Sequence, residues 1–278
     1  MRQICSGGTL QLIGFGVSGY VYEYKNFAFK VISNTQKREL EIMKLVGKHR
    51  HLIPLENFFY VERKIILQMP FAGHNGYVLT KAVGIPDKSL QEEAAAHLFA
   101  GLDYLHSNRI LHLDPKPENT FYYSGRWQLA DLGNARLESP YQRGYVCYTL
   151  FYRCPLAAAG YYSRDTDIFA TALCVRELIT GAPLFDCNER EIWKQFAAYF
   201  DRADVSLFLP KLSEINERGL THLLMNTASK QFEMLPEAST PFLRELDATI
   251  KHCLLNFTCF GAKLFIIYWL DKLAIRLR

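Results

Sequence analysis

Three glycines, in Gly14-Phe15-Gly16-Val17-Ser18-Gly19, run straight into the alternating stretch Tyr20-Val21-Tyr22-Glu23-Tyr24. Glycine lets a backbone approach a phosphate with no Cβ in the way and offers its amides as donors. Dinucleotide-binding folds use the same G-x-G-x-x-G spacing, but there the glycines open a helix. Here a strand pattern precedes them, another follows, and a turn at Asn26 closes the second, so the loop bridges two strands. A dinucleotide oxidoreductase is therefore excluded. Two readings of the segment itself remain: a phosphate cradle, or a glycine-rich hairpin with a structural purpose only.

The rest of the first third follows the same style. Residues 10–14, 20–24 and 27–32 predict strands, and residues 52–61 and 64–69 predict two more. Between them, Leu40, Ile42, Met43 and Val46 recur at helical spacing and predict a short helix over residues 36–46. Pro70-Phe71-Ala72-Gly73 breaks the pattern. Beyond it the chain reads as helical. Ser89 and Glu92 have the spacing of a capping box and open a helix through Leu105, with a stripe of Ala95, Leu98, Leu102 and Leu105. Residues 166–180 and 189–200 predict further helices, the first ended by Gly181. The expected architecture is α+β: a small β-rich lobe, residues 1–73, leading into a larger α-helical lobe, residues 74–278.

Composition narrows the class. With 49% hydrophobic and 22% charged residues among 278, the chain is neither disordered nor fibrous, and nothing repeats at a fixed period. A net charge of +4 gives no reason to expect nucleic acid as a partner. The seven cysteines are scattered without a C-x-x-C pair, which argues against a disulfide framework or zinc site and for a reducing compartment. Residues 1–8 lack the apolar core of a signal peptide. Residues 254–270 are strongly apolar but carry Lys263, so a core or interface helix is expected there rather than a membrane anchor. Oligomeric state is left open.

Two further groups could carry chemistry. Lys30, in Ala28-Phe29-Lys30, is followed by Glu39 on the expected helix; a lysine held by a carboxylate stays charged and oriented toward phosphates. Downstream, His112-Leu113-Asp114-Pro115-Lys116-Pro117-Glu118-Asn119 puts a base, a cation and a metal-binding amide on one tight loop. Asp131-Leu132-Gly133 follows the strand-like Trp127-Gln128-Leu129-Ala130, and an aspartate before a glycine turn can hold Mg²⁺ against phosphate oxygens. Each alone reads as readily as a surface lysine or a turn-capping carboxylate. The order of all of them carries the argument.

In that order these residues resemble the eukaryotic-type protein kinases over roughly residues 13–185. Ile13, Gly14, Phe15, Gly16, Val17, Ser18, Gly19, Tyr20 and Val21 resemble the glycine-rich loop, Lys30 the lysine of the third strand, and Glu39 the glutamate of the following helix, with Glu41 as second choice. His112 through Asn119 resemble the catalytic loop and Asp131-Leu132-Gly133 the magnesium-binding triplet. Thr149-Leu150-Phe151-Tyr152-Arg153-Cys154-Pro155 resembles the end of the activation segment. Asp167-Ile168-Phe169-Ala170 resembles the start of the helix whose aspartate supports the catalytic loop. The resemblance implies a bilobal fold and transfer of the ATP γ-phosphoryl group to Ser/Thr hydroxyls of protein substrates, with Mg²⁺. Asp114 would accept or orient the hydroxyl proton and Lys116 steady the phosphoryl group. Asn119 and Asp131 would hold Mg²⁺, and Lys30, paired with Glu39, the α and β phosphates. Lys116 and Thr149 resemble the Ser/Thr rather than the tyrosine kinases.

The chain also departs from the family. Leu113 stands where most members have arginine, which implies activity that does not need activation-loop phosphorylation. Pro115 removes an N–H and biases Asp114 toward extended geometry. Leu156 stands where a glutamate is usual, and only nine positions separate Lys30 from Glu39. Leu67, Gln68 or Met69 could line the back of the nucleotide pocket. A pseudokinase with the same fold is the rival reading. A small-molecule phosphotransferase would lack Lys116 and the 149–155 segment. The economy of loops resembles kinases of large DNA viruses, with an intracellular setting, cytoplasm or nucleus, of a host cell in that case. His97 and His106 read as packing or surface histidines rather than ligands. Tyr141, Tyr145 and Tyr148 could be phosphorylation sites, but a tyrosine-rich loop packed on the lobe is expected.

Overall fold

Alternation of side chains builds an antiparallel sheet in the order β1-β2-β3-β5-β4: β1 (Gln11–Gly16), β2 (Gly19–Tyr24), β3 (Phe27–Ser33), β4 (Asn57–Val61) and β5 (Lys64–Pro70). The computed structural model describes residues 10–16, 19–81, 84–139, 148–153, 157 and 162–183. These fall into two compact units, residues 1–138 with 178–182, and residues 139–177 with 183–278. In the sheet, Tyr20 faces Val31, Tyr22 faces Phe29 and Tyr24 faces Phe27, while Val21 faces Lys30 and Lys30 faces Leu67. One face therefore carries the cluster of Tyr24, Phe29 and Ile66, with Phe27, Val31, Phe59 and Val61 packed on it. Lys30 occupies the other face. A slip of one residue would exchange the two faces, so burial of the aromatic set fixes where Lys30 points.

Two expected boundaries move. The helix over 36–46 begins at Arg38 as α1 (Arg38–Val46), because Asn34–Gln36 form a 3₁₀ turn closed by a capping box between Ser33 and Gln36. The strand expected over 52–61 begins only at Asn57. Leu52 and Ile53 pair instead with Leu129 of β8 (Arg126–Leu129): Ile53 N donates to Leu129 O at 2.8 Å and Leu129 N to His51 O at 3.0 Å. Pro54, which has no N–H to give, ends that pairing.

After the short α2 (Gly76–Thr80), helix α3 (Lys88–Ser107) buries Ala94, Ala95, Leu98, Leu102 and Leu105. Each buried leucine contributes about 2 kcal/mol. Its cap is a correction to the Ser89–Glu92 reading. Asp87 is the N-cap, its Oδ1 accepting from Ser89 N at 2.9 Å and Leu90 N at 3.1 Å. A carboxylate outside the helix meets the free amides and the positive end of the dipole together, whereas Ser89 already lies inside the first turn.

Helix α3 meets the 49–53 segment at three histidines. His51 stacks on His97 with ring centroids 4.4 Å apart, and His49 stacks on Tyr104 at 4.1 Å. His97 Nδ1 accepts from Trp127 N at 3.2 Å. Burial holds all three rings below their ordinary value of 6.5, helped at His49 and His51 by Arg50, and at His97 by Arg50 and Arg126 against the pull of Glu93. The expected packing role of His97 is what the structure shows, and His106 is buried. A pH prediction follows. The unfolded chain takes up protons near pH 6.5 and the folded chain does not, so stability is full above that value and falls as pH drops below it. Thermal melts should show a lower melting temperature at pH 5.5 than at 7.5, with a shallower slope for His97→Gln. Equal slopes would overturn the assignment.

In the second unit, α4 (Arg164–Thr180) starts two residues before its expected position. Tyr148 is buried, its hydroxyl 2.7 Å from Thr166 Oγ1 and donating to Asp167 Oδ1 at 2.8 Å. Tyr152 donates to Glu177 at 2.6 Å. Tyr148 thus packs, as expected. The last residues of α4 belong to the first unit, where Ile85 N donates to Leu178 O at 2.9 Å. Val17, Ser18, Tyr141, Tyr145, Leu156, the helix expected over 189–200 and the apolar run 254–270 lie outside the described residues. Among the described residues no helix is long and apolar enough to cross a membrane.

Candidate active site

Two short ladders hold the two chemistry-bearing loops together. β6 (Ile110–Leu111) pairs with β9 (Arg136–Leu137), so the segment leaving β6 at His112 lies beside the segment entering β9 from Asp131. β7 (Thr120–Tyr123) pairs with β8, and Ala130 N donates to Asn119 O at 2.9 Å, which brings the far ends of the same two loops side by side. Asp114, Asn119 and Asp131 are thereby gathered in one place although they are spread along the sequence.

Lys30 is 5% exposed and meets two carboxylates. Its Nζ lies 2.7 Å from Glu39 Oε1 and 2.7 Å from Asp131 Oδ1. Burial opposes the lysine's charge, but Glu39 and Asp131 together outweigh it and hold the pKa above its ordinary value. For Asp131 burial again opposes the charge, and Lys30 overrides it and holds the carboxyl low. Glu39 is pushed up by burial, which Lys30 offsets only in part. Glu41, the second-choice carboxylate, is exposed and pairs with Lys37 at 3.2 Å.

Asp114 is 6% exposed. Lys116 Nζ lies 3.0 Å from its Oδ2. Asn119 Nδ2 donates to Asp114 O at 2.9 Å and to Oδ2 at 3.3 Å. Pro115 leaves both contacts in reach. Lys116 is extended (φ −162°) and Pro117–Asn119 form a 3₁₀ turn, whose fixed proline φ helps bring Asn119 back toward Asp114. Leu113, the residue in the arginine position, is fully buried with φ +65°, and Asp131 has φ +60°. A left-handed conformation costs about 1–2 kcal/mol for a residue with a Cβ. Both occur in the loops that carry the carboxylates, which the sequence did not announce.

The glycine hairpin divides into two parts. Gly19 is compelled by the fold: its φ is +129° and a Cβ there would sit 2.2 Å from Val31 O. Gly14 and Gly16 are not. A Cβ on Gly14 would touch only Val21, at 3.7 Å, and one on Gly16 would meet nothing within 4 Å, so their bareness leaves room beside the backbone. Gly14 and Val21 are cross-strand partners, and Val21 in turn pairs with Lys30. Phe15 pairs with Tyr20, whose alternation carries it to the sheet face away from Lys30, and Phe15 is 81% exposed. Ile13 sits at a β-bulge between Leu12 and Gly14.

The donor set suits Mg²⁺ with a nucleotide. Asn119 has its Nδ2 committed to Asp114, which leaves its carbonyl oxygen as a hard donor. Asp131 Oδ1 accepts from Lys30 and, at 3.2 Å, from Gly133 N, which leaves the second carboxylate oxygen. No group of three or more His, Cys, Asp or Glu suited to a metal occurs among the described residues. Two oxygen donors with phosphates completing the shell is how Mg²⁺ is commonly held. Sequence reasoning missed one polar neighbour, Asn134, whose Nδ2 lies 3.5 Å from Asp114 Oδ2.

Comparison with known proteins identifies the family. The family model for the protein kinase domain matches residues 8–237. The chain is 28% identical over 228 residues to cyclin-dependent kinase 8 of Drosophila melanogaster, covering 69% of this chain and 50% of that protein. It is 30% identical over 230 residues to cyclin-dependent kinase 8 of Caenorhabditis briggsae, covering 68% of this chain and 37% of that protein. The chain thus spans half or less of the length of these relatives. Since that family model spans most of the sequence, the chain belongs to the protein kinase family.

Proposed function

We propose that the chain is an active serine/threonine protein kinase that uses ATP and Mg²⁺, as the family generally does. One observation carries the reading: Lys30 is held at 2.7 Å by both Glu39 and Asp131, so the lysine on β3 and the carboxylate after β8 are already poised on one site. Bound Mg²⁺ and ATP would supply the transferable phosphoryl group and neutralise its charge. Lys30 holds phosphate oxygens, with Glu39 keeping its ammonium in place. Asn119 and Asp131 would hold the metal. Asp114 takes the proton as the protein hydroxyl forms its bond to phosphorus and the bond to the departing diphosphate oxygen breaks, while Lys116 steadies the transferred group. Catalysis of this kind is mostly positioning and charge stabilisation, which suits a site already tied by hydrogen bonds. Serine/threonine preference rests on Lys116 and Thr149, and on relatives named as cyclin-dependent kinases. The lobes would divide at residues 1–73 and 74–278, and the scattered cysteines favour an intracellular setting.

The test is ATP-dependent ³²P transfer to a general acceptor protein with Mg²⁺, wild type against Asp114→Ala. Removing the base should lower transfer about 10²- to 10⁴-fold while leaving nucleotide binding in place. Wild-type protein that binds Mg·ATP yet transfers nothing would make it a pseudokinase instead.

A further inference from the structure

We propose that Asn134 is a positioning residue for Asp114, an inference that rests on the kinase reading. Three side-chain donors converge on one oxygen, Asp114 Oδ2: Lys116 Nζ at 3.0 Å, Asn119 Nδ2 at 3.3 Å and Asn134 Nδ2 at 3.5 Å. The first two come from the loop that carries Asp114. The third comes from the other loop, three residues after Asp131, and ties that loop to Asp114. Its contact is at the long end of hydrogen bonding, as such contacts often are before substrate draws a site tight.

The backbone beneath Asn134 is fixed from several sides. Asp131 turns the chain with its positive φ, Gly133 N donates to Asp131 Oδ1 at 3.2 Å, and Ala135 N donates to Leu132 O at 3.1 Å. Arg136 Nη1 donates to Asn134 O and, at 2.9 Å, to Ala135 O. The turn that presents Asp131 to Lys30 therefore also presents the Asn134 amide to Asp114. A donor here opposes rotation of the carboxylate about its Cβ–Cγ bond, which would exchange its two oxygens. It also fixes the distance between the base and the segment bearing Asp131.

The amide is a demanding choice at this place. Alanine removes the donor and leaves Lys116 and Asn119 to hold the oxygen. Aspartate has the same shape but, when ionised, sets a second negative charge against Asp114; when protonated it has an O–H to donate. A purely structural residue would not respond to that proton.

Steady-state phosphoryl transfer by wild type, Asn134→Ala and Asn134→Asp, from pH 5.5 to 8.5, tests the proposal, with thermal melts to check that each variant folds. Asn134→Ala should lower kcat about fivefold with KM for ATP nearly unchanged. Asn134→Asp should lower kcat about 100-fold at pH 8 and regain activity relative to wild type as pH falls. Asn134→Ala with wild-type kcat, or Asn134→Asp with a pH profile parallel to wild type, would overturn the role of Asn134 alone. A wild type without transfer would remove the kinase reading and this one with it.

Discussion

Lys30→Met is expected to abolish phosphoryl transfer and to lower stability at the same time. The methionine has nearly the volume of the lysine stem, so packing against β5 survives, but the cation between Glu39 and Asp131 is gone. Glu39 is 3% exposed and would be left buried beside another carboxylate with nothing to neutralise it. Removing one partner of a buried ion pair costs about 3–5 kcal/mol, which at about 2–4 °C per kcal/mol is a fall of roughly 6–20 °C in melting temperature. The loss of transfer should be at least about 10²-fold, because the variant lacks a charge aimed at phosphate oxygens. The stability loss should shrink in Lys30→Met/Glu39→Gln, where the unpaired buried charge is removed too. Retention of a tenth of wild-type transfer by Lys30→Met would place the phosphate-binding charge elsewhere.

The largest purely structural effect is expected at Gly84. This residue has φ +66°, and a Cβ would stand 2.0 Å from Ile179 O, 2.6 Å from Ile179 C and 2.9 Å from Gly181 N. All three are backbone atoms, so no side chain can swing aside. Gly84→Ala combines the left-handed penalty of about 1–2 kcal/mol with overpacking of about 1–3 kcal/mol. The expected fall in melting temperature is roughly 4–20 °C. Gly125→Ala is the control, since Gly125 has φ +75° but nothing within 4 Å of its Cβ position. It should show the dihedral cost alone. If the two variants melt together, the close approach of the segment ending α4 to Gly84 does not exist in solution.

Much of this was legible along the chain, and most of the misses share a cause. Strands β1, β2, β3 and β5 were bounded to within two residues because glycine, asparagine and proline mark their ends locally. The amphipathic pattern of α1 singled out Glu39 over Glu41, since only Glu39 shares the buried face with Leu40 and Met43. Most of what was misplaced depended on a distant partner; the cap of α3 did not. Leu52 and Ile53 look like the start of a strand and do pair, but with Leu129, far along the sequence. Ser89 has the spacing of a cap, yet Asp87 lies at the position that the helix leaves open. Asn134 carries no motif signal, because its relation to Asp114 exists only once β6 and β9 have paired. The close approaches at Gly84 and at Gly101, where a Cβ would lie 2.6 Å from His51 O, are likewise properties of the folded contact.

The brevity of the link between Lys30 and Glu39 has a mechanical meaning. Of the residues between them, Val31 to Ser33 are still hydrogen-bonded into the sheet, and Asn34–Gln36 form the capped turn. Asn34 N also donates to Arg63 O at 3.0 Å, tying the turn to the connection between β4 and β5. Lys37 alone stands between that turn and the first residue of α1. There is no slack in such a tether. Helix α1 cannot travel away from the sheet without first unmaking the Ser33 box or the last rung of β3 on β5. The contact that keeps Lys30 oriented is thus set by covalent length as much as by charge, and an on–off device in this chain would need some other moving part.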